Sequence, residues 1–308
     1  MAQKIILFIS FYCCLLTLKA IGQSRFISLD GAKIFTITKG LEKRKAGQPV
    51  IVFESGLGTP VDNWDTILDQ AASLAPVVAY DRPGIGQSEA DQEMPTTKNV
   101  ADKLRRILQT LKLEPPYLLV GHSLGGAYVR GFALYYPTEL AGLVIIDPAD
   151  FTETNTDWGL QFEALGYSQA KIDSMVTKRR QEAYVPIREA PLSIQEEYKI
   201  LFDLRKADFT EMRSTPLPNI PVAMVVSGGY FPAPKATATD EALFHTKMKY
   251  RMARWINLVN TIPKGRFFYH ASAGHFVHRD DPELVMASIR IVLMDYEQER
   301  AANKEKRN

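Results

Sequence analysis

The segment Tyr117-Leu118-Leu119-Val120-Gly121-His122-Ser123-Leu124-Gly125-Gly126 carries the strongest structural signal in the chain. Tyr117 to Val120 is a short apolar run of the kind that forms a buried strand. Gly126 to Tyr136 reads as a helix that stops at Pro137. A serine on a tight turn between such a strand and such a helix is pushed out where a substrate can reach its hydroxyl. Glycines flank it because side chains there would collide with the strained turn. The Gly-x-Ser-x-Gly pattern alone arises by accident in about one chain of this length in ten, with Gly and Ser each near ~7% of residues. The strand before it and the helix after it supply the specificity.

Upstream, Phe26 to Leu29 and Lys33 to Ile37 flank Asp30-Gly31, a two-residue hairpin signal. Val50 to Phe53 is a fully apolar strand followed by the Gly-rich loop Ser55-Gly56-Leu57-Gly58. A helix from about Asn63 to Leu74 leads to the strand Val77 to Tyr80, then to the loop Asp81-Arg82-Pro83-Gly84-Ile85-Gly86-Gln87-Ser88. Within Asn99 to Leu111, Val100, Leu104, Ile107, Leu108 and Leu111 fall at helical spacing. Downstream come the strands Leu143 to Ile146 and Val222 to Val226, a helix from Glu241 to Val259, and a last strand from Arg266 to Tyr269. Glu283 to Tyr296 is a closing amphipathic helix. Strands alternating with helices predict an α/β fold, a mostly parallel central sheet with helices on both faces.

The alternation stops at Asp147 and resumes at Val222. Between them lie helical patterns near 157–183 and 193–209, with Trp158, Phe162, Tyr184 and Tyr198 scattered through. Long insertions are usually functional, and residues 149–219 read as a helical lid inserted after the sixth strand. Residues 23–148 and 220–300 form the core, and 301–308 a charged C-terminal tail expected to fray. No internal repeat is found.

At the other end, Lys4, the apolar run Ile5 to Leu18 and the small-x-small pattern Ala20-Ile21-Gly22 mark residues 1–22 as a secretory signal peptide. The run is shorter than the about 20 apolar residues of a membrane span. The expectation is a secreted or periplasmic protein with no stable membrane span after cleavage. Cleavage removes Cys13 and Cys14, the only cysteines, so the mature protein needs no disulfide in an oxidising compartment. It also removes Lys4 and Lys19, which takes the formal net charge from +2 to zero. No basic field remains to attract nucleic acid.

A serine hydroxyl is a poor nucleophile until a base takes its proton. The chain has 5 histidines, at 122, 245, 270, 275 and 278. His122 sits beside the serine and is expected to face away, His245 lies in a helix, and His270 ends the last strand. His275 follows Gly274 in the loop just past that strand. Loops at the carboxyl ends of parallel strands gather on one edge of the sheet, which brings this loop towards Ser123. His275 is therefore the expected base, with His278 its rival. A buried carboxylate should fix the imidazole tautomer. The loop after strand 222–226, Ser227-Gly228-Gly229-Tyr230-Phe231-Pro232, has none. Asp147, at the end of strand 143–146, leads, against a plain Asp-Pro turn as its ordinary role. Asp240 is the second candidate, against a helix cap. Oxyanion donors are expected from the backbone N–H groups of Leu124 and Leu57, with Gly56 letting the backbone approach.

With the Ser55–Gly58 loop, the Asp81–Ser88 loop, the serine turn and Gly274-His275-Phe276, the chain resembles the α/β-hydrolase fold superfamily from about residue 26 to 296. The resemblance is to a serine esterase or lipase-like hydrolase with a helical lid. It implies Ser123 as nucleophile, His275 as base, and Leu57 with Leu124 as oxyanion donors. One departure is the missing acid after strand 222–226. Some relatives, haloalkane dehalogenase-like enzymes among them, take the acid from the end of the preceding strand, which corresponds to Asp147. Dehalogenases and epoxide hydrolases use an aspartate nucleophile, so Ser123 argues against both activities. The implied reaction is cleavage of an ester, amide or lactone bond in a small-molecule, ester-like substrate through an acyl-enzyme on Ser123. An acyltransferase on the same residues and a non-catalytic small-molecule-binding relative are the alternatives. The chain has no His/Cys cluster at ligand spacing and no dinucleotide-binding glycine pattern, so neither metal nor organic cofactor is expected.

Overall fold

The structure, a computed structural model, describes residues 23–306. The signal-peptide reading of residues 1–22 therefore lies outside the described residues. The strands are β1 (Gln23–Leu29), β2 (Ala32–Lys39), β3 (Val50–Glu54), β4 (Val77–Tyr80), β5 (Tyr117–His122), β6 (Leu140–Ile146), β7 (Val222–Ser227) and β8 (Gly265–His270). The helices are α1 (Leu68–Leu74), α2 (Thr97–Thr110), α3 (Leu124–Tyr135), α4 (Asn155–Glu163), α5 (Gln169–Gln181), α6 (Leu192–Lys206), α7 (Thr210–Ser214), α8 (Ala238–Asn260), α9 (Val277–Asp280) and α10 (Pro282–Glu305).

One sheet runs in the order β1-β2-β4-β3-β5-β6-β7-β8. Only the β1/β2 and β2/β4 pairs are antiparallel. The rest are parallel, with β3 flanked by β4 and β5. Because β4 lies on one side of β3 and β5 on the other, the chain reverses direction across the sheet at β3. That reversal opens a crevice at the carboxyl ends of β3 and β5, the place where open α/β sheets bind ligands.

The central strands are apolar throughout because both faces are covered. Val50, Val52, Leu119 and Ile145 join the core on one face with Leu104, Ile107, Phe132 and Trp255. Ile51, Phe53, Leu118, Val144 and Val225 join the other with Trp64, Ile67, Val285 and Ile289. Helix α2 shows how the pattern works. Thr96 caps its start by accepting the Asn99 N–H at 3.2 Å. Its Val100, Leu104, Ile107 and Leu108 are all buried, each contributing about 1.5–3 kcal/mol.

Three expectations shift at their edges. The helix expected from Asn63 begins only at Leu68, because Val61–Trp64 forms a 3-10 turn that buries Trp64 and hydrogen-bonds its Nε1 to Ser55 Oγ at 2.9 Å. The single pattern over 157–183 is two helices. Thr154 and Asp157 form a capping box at the start of α4, and Gly166 at φ 80 ends the turn that follows it. The helix expected to close at Tyr296 instead runs on to Glu305, into the tail expected to fray from residue 301. Good helix formers supply the reason, and Arg300 ties this end down by donating to the Ala46 carbonyl at 3.3 Å. Between β6 and β7 stand α4 to α7, and α4 packs on α8.

Candidate active site

Ser123 sits between β5 and α3 with φ 55 and ψ −118, a left-handed conformation that costs a non-glycine residue about 1–3 kcal/mol. Its neighbours hold it there. Ser123 N–H donates to the Ile146 carbonyl at 3.0 Å, and its carbonyl accepts from Gly126 at 3.0 Å and Ala149 at 2.9 Å. A side chain at Gly125 would run into the carbonyls of Glu54 and Ser55, and one at Gly121 into the Gly125 carbonyl. Close contact between α3, β3 and β5 therefore requires both glycines.

The β8 loop brings His275 over the serine. Ser123 Oγ lies 2.9 Å from His275 Nε2, and His275 Nδ1 lies 2.6 Å from Asp147 Oδ2. With Nδ1–H donating to the carboxylate, Nε2 is left to accept the serine proton, a tautomer assigned from these bonds. Asp147 is buried and has φ 37. Its N–H donates to Val225 O at 2.7 Å, and its Oδ1 accepts from Ser227 N–H at 3.3 Å and faces Arg251 at 3.4 Å. Burial pushes the Asp147 carboxyl up, but the His275 bond, Arg251 and the Ser227 N–H outweigh it and hold its pKa below the ordinary value. Strands β6 and β7 pair Ile146 with Val225. Their carboxyl ends therefore stand side by side, and an acid on either could reach the histidine loop.

Asp240 is elsewhere. It is exposed at the start of α8, where its carboxylate accepts from Thr237 N–H at 2.8 Å in a capping box. His278 does not reach the serine either. It is fully buried, its ring 4.4 Å from that of Trp64, and burial lowers its pKa to about 3. His245 is exposed on α8, and His270 Nδ1 accepts from Ala273 N–H at 2.9 Å. His122 departs from expectation. Rather than facing away, it packs beneath His275 with ring centroids 4.6 Å apart, and its Nε2–H donates to the His275 carbonyl at 2.8 Å. Burial, with His278 and His275 beside it, holds its pKa well below the ordinary imidazole value.

Leu124 opens α3, so its N–H has no intrahelical acceptor. Leu57 lies in the loop after β3, and its N–H finds no acceptor among the described residues. That loop is held by a buried ion cluster. Arg82 donates to the carbonyls of Ser55 at 2.6 Å and Gly56 at 2.7 Å, and pairs with Glu54 at 2.7 Å and with Glu197 of α6 at 2.6 Å. Glu197 in turn accepts the Gly58 N–H at 2.7 Å. Arg82 was legible only as part of a loop motif. Glu197 and Arg251 sit in helices whose local sequence gives no sign that they reach the site.

A cavity of about 360 Å³ opens onto Ser123 and His275, lined by Pro148, Trp158, Leu201, Phe209 and several charged side chains. No group of three or more His, Cys, Asp or Glu among the described residues could hold a metal ion. No helix among them is long and apolar enough to cross a membrane.

The family model of the α/β hydrolase fold matches residues 49–184, which run from the start of β3 through the serine turn into the insert. With the sheet order, that gives the chain the α/β-hydrolase fold. It is similar to the uncharacterized protein YqjL of Bacillus subtilis, 29% identical over 133 residues, 43% of this chain and 51% of that protein. It is also similar to the (lyso)-N-acylphosphatidylethanolamine lipase of Mus musculus, 27% identical over 138 residues, 44% of this chain and 40% of the lipase. The matches thus span about half or less of these relatives' lengths. Among solved structures, carboxylesterase CesB (YbfK) of Bacillus subtilis shares the fold with a TM-score of 0.54 at 18% identity, covering 89% of this chain and 92% of that one.

Proposed function

We propose that the chain is a serine hydrolase that cleaves carboxylic esters through an acyl-enzyme on Ser123. The observation that carries this reading is the unbroken hydrogen-bonded path from Asp147 through His275 to Ser123, at 2.6 and 2.9 Å, beside two unused backbone N–H groups. In the first half-reaction Ser123 Oγ bonds to the ester carbonyl carbon while its proton passes to His275 Nε2. Asp147 stabilises the imidazolium, and the N–H groups of Leu57 and Leu124 receive the developing oxyanion, worth about 10²–10³ in kcat for each such donor. The carbon–oxygen bond to the leaving alcohol breaks, and the alcohol departs with the proton from His275. In the second half a water gives His275 a proton and bonds to the acyl carbon; the bond from that carbon to Ser123 Oγ breaks, His275 returns its proton to Oγ, and the carboxylic acid leaves. The His275 side chain is 47% exposed, so water has access to the base, which favours hydrolysis over transfer to another alcohol. Residues 149–219, with their four helices, serve as the lid that shapes the pocket, and residues 1–22 direct secretion.

The test is labelling by a fluorophosphonate together with turnover of p-nitrophenyl butyrate. Ser123→Ala should label no longer and should lose activity by about 10⁴-fold or more. A native protein that resists the probe while a known serine hydrolase labels in parallel would sink the reading.

A further inference from the structure

The cavity beside Ser123 carries more positive charge than its carboxylates balance. Asp147, Asp150 and Glu153 each already face an arginine, Arg251 at 3.4 Å, Arg254 at 2.6 Å and Arg179 at 3.3 Å respectively. Asp150 is satisfied a second time by Trp255 Nε1–H at 3.0 Å. Arg205 from α6 and Lys247 from α8 line the same cavity and form no ion pair among the described residues. Partial desolvation in the hollow and Arg179 lower the pKa of Arg205; partial desolvation, with Arg251 and Arg205, lowers that of Lys247 against the pull of Glu153, although both residues keep exposed surface. These cations thus repel one another.

A basic row along one helix would be an ordinary solvated face. Here the charges converge on one hollow from α5, α6 and α8, next to the nucleophile. An adjoining cavity of about 790 Å³ shares Trp158, Arg179 and Arg205, and adds Lys178 and Lys206 against Glu182 alone. The surplus therefore runs outward from the serine. An anion placed there would relieve the repulsion, and a guanidinium beside an ammonium suits the oxygens of a carboxylate or a phosphate.

We propose that the site takes an ester bearing an anionic group, a carboxylate or phosphate, that Arg205 and Lys247 hold while the carbonyl meets Ser123. The reaction rests on the serine-hydrolase reading, whereas the anion site stands on the charge arrangement. Two matched pairs test it on the native protein at low salt. Mono-p-nitrophenyl glutarate against p-nitrophenyl butyrate places a carboxylate in the acyl part. Butyryl glycerol 3-phosphate against monobutyrin places a phosphate in the alcohol part. The expected result is about tenfold or more higher kcat/KM for the anionic member of one pair, which also tells the anion and its side. Added salt should erode that ratio, and Arg205→Gln with Lys247→Gln should bring it close to one. A native ratio of one or less in both pairs overturns the proposal.

Calorimetric titration of the Ser123→Ala protein with glutarate and with glycerol 3-phosphate keeps the two readings apart. If no ester turns over but one anion binds, and the double variant abolishes that binding, the anion site stands and the serine-hydrolase reading falls. If neither ester turnover nor anion binding is found, both fall.

Discussion

Asp147→Asn keeps the shape of the side chain and removes its charge. An amide nitrogen facing His275 Nδ1 would favour the tautomer that protonates Nε2, the nitrogen that must accept the serine proton. We expect kcat on p-nitrophenyl butyrate to fall about 10³–10⁴-fold with the fold intact by circular dichroism. Near-native activity would remove Asp147 from the mechanism. The same carboxyl titrates below its ordinary range, so its charged form adds stability above about pH 4 that is lost as pH falls through the folded pKa. His278 acts over a wider window. Its folded pKa of about 3 lies below the unfolded value near ~6.5, so the unfolded chain binds the extra proton between them and stability rises with pH there. The Asn63 backbone, close enough to favour the cation, does not reach hydrogen-bonding geometry with either ring nitrogen. His278→Phe can therefore keep the stacking on Trp64 and lose no bond. Between about pH 7 and pH 5 the native chain should lose about 2 kcal/mol more stability than this variant, read from urea midpoints. Equal losses would show that His278 is charged in the fold.

Helix α6 joins the insert to the Leu57 loop through one side chain. Glu197 holds both Arg82 and the Gly58 N–H, one residue from the Leu57 donor. Glu197→Ala would leave Glu54 to balance the buried arginine but would strip Arg82 Nε of its acceptor, and should cost about 1–3 kcal/mol. Glu197→Gln keeps a carbonyl for Gly58 and serves as the milder probe. If Glu197 positions Leu57, kcat of Glu197→Gln should drop about tenfold with KM little changed, because an oxyanion contact acts mainly in the transition state. Equal changes in kcat and KM, or none, would make the residue purely structural. The elements themselves were largely readable. Strands β3 to β7 announce themselves as apolar runs because both faces of the sheet are buried. The break at Gly166 was missed because it turns on one left-handed residue inside a continuous helical pattern. The end of α10 was missed because a charged run has no apolar stripe to mark it, although its residues favour helix.

At the scale of the whole molecule, removal of residues 1–22 would change the balance of charge. If residues 1–22 are removed, the mature protein is neutral overall while the hollow beside Ser123 is positive, so the field is local and aimed at the site. Expression of the full-length chain in a secreting host should give a mature protein whose N-terminal residue is Gln23, as read by mass spectrometry of the intact chain. A product that still carries Ile5 to Leu18 and sediments with membranes would replace secretion by anchoring. The α/β class, the serine turn, His275 and the approximate borders of the insert are properties of short segments, and period, turn chemistry and burial write these directly into neighbouring residues. The partnership of Asp147 with His275, the hold of Arg82 and Glu197 on the Leu57 loop, and the unpaired charges of Arg205 and Lys247 are different. Each joins residues far apart along the chain, so each exists only once the sheet has brought its carboxyl ends to one edge and the helices beyond β6 have packed beside it.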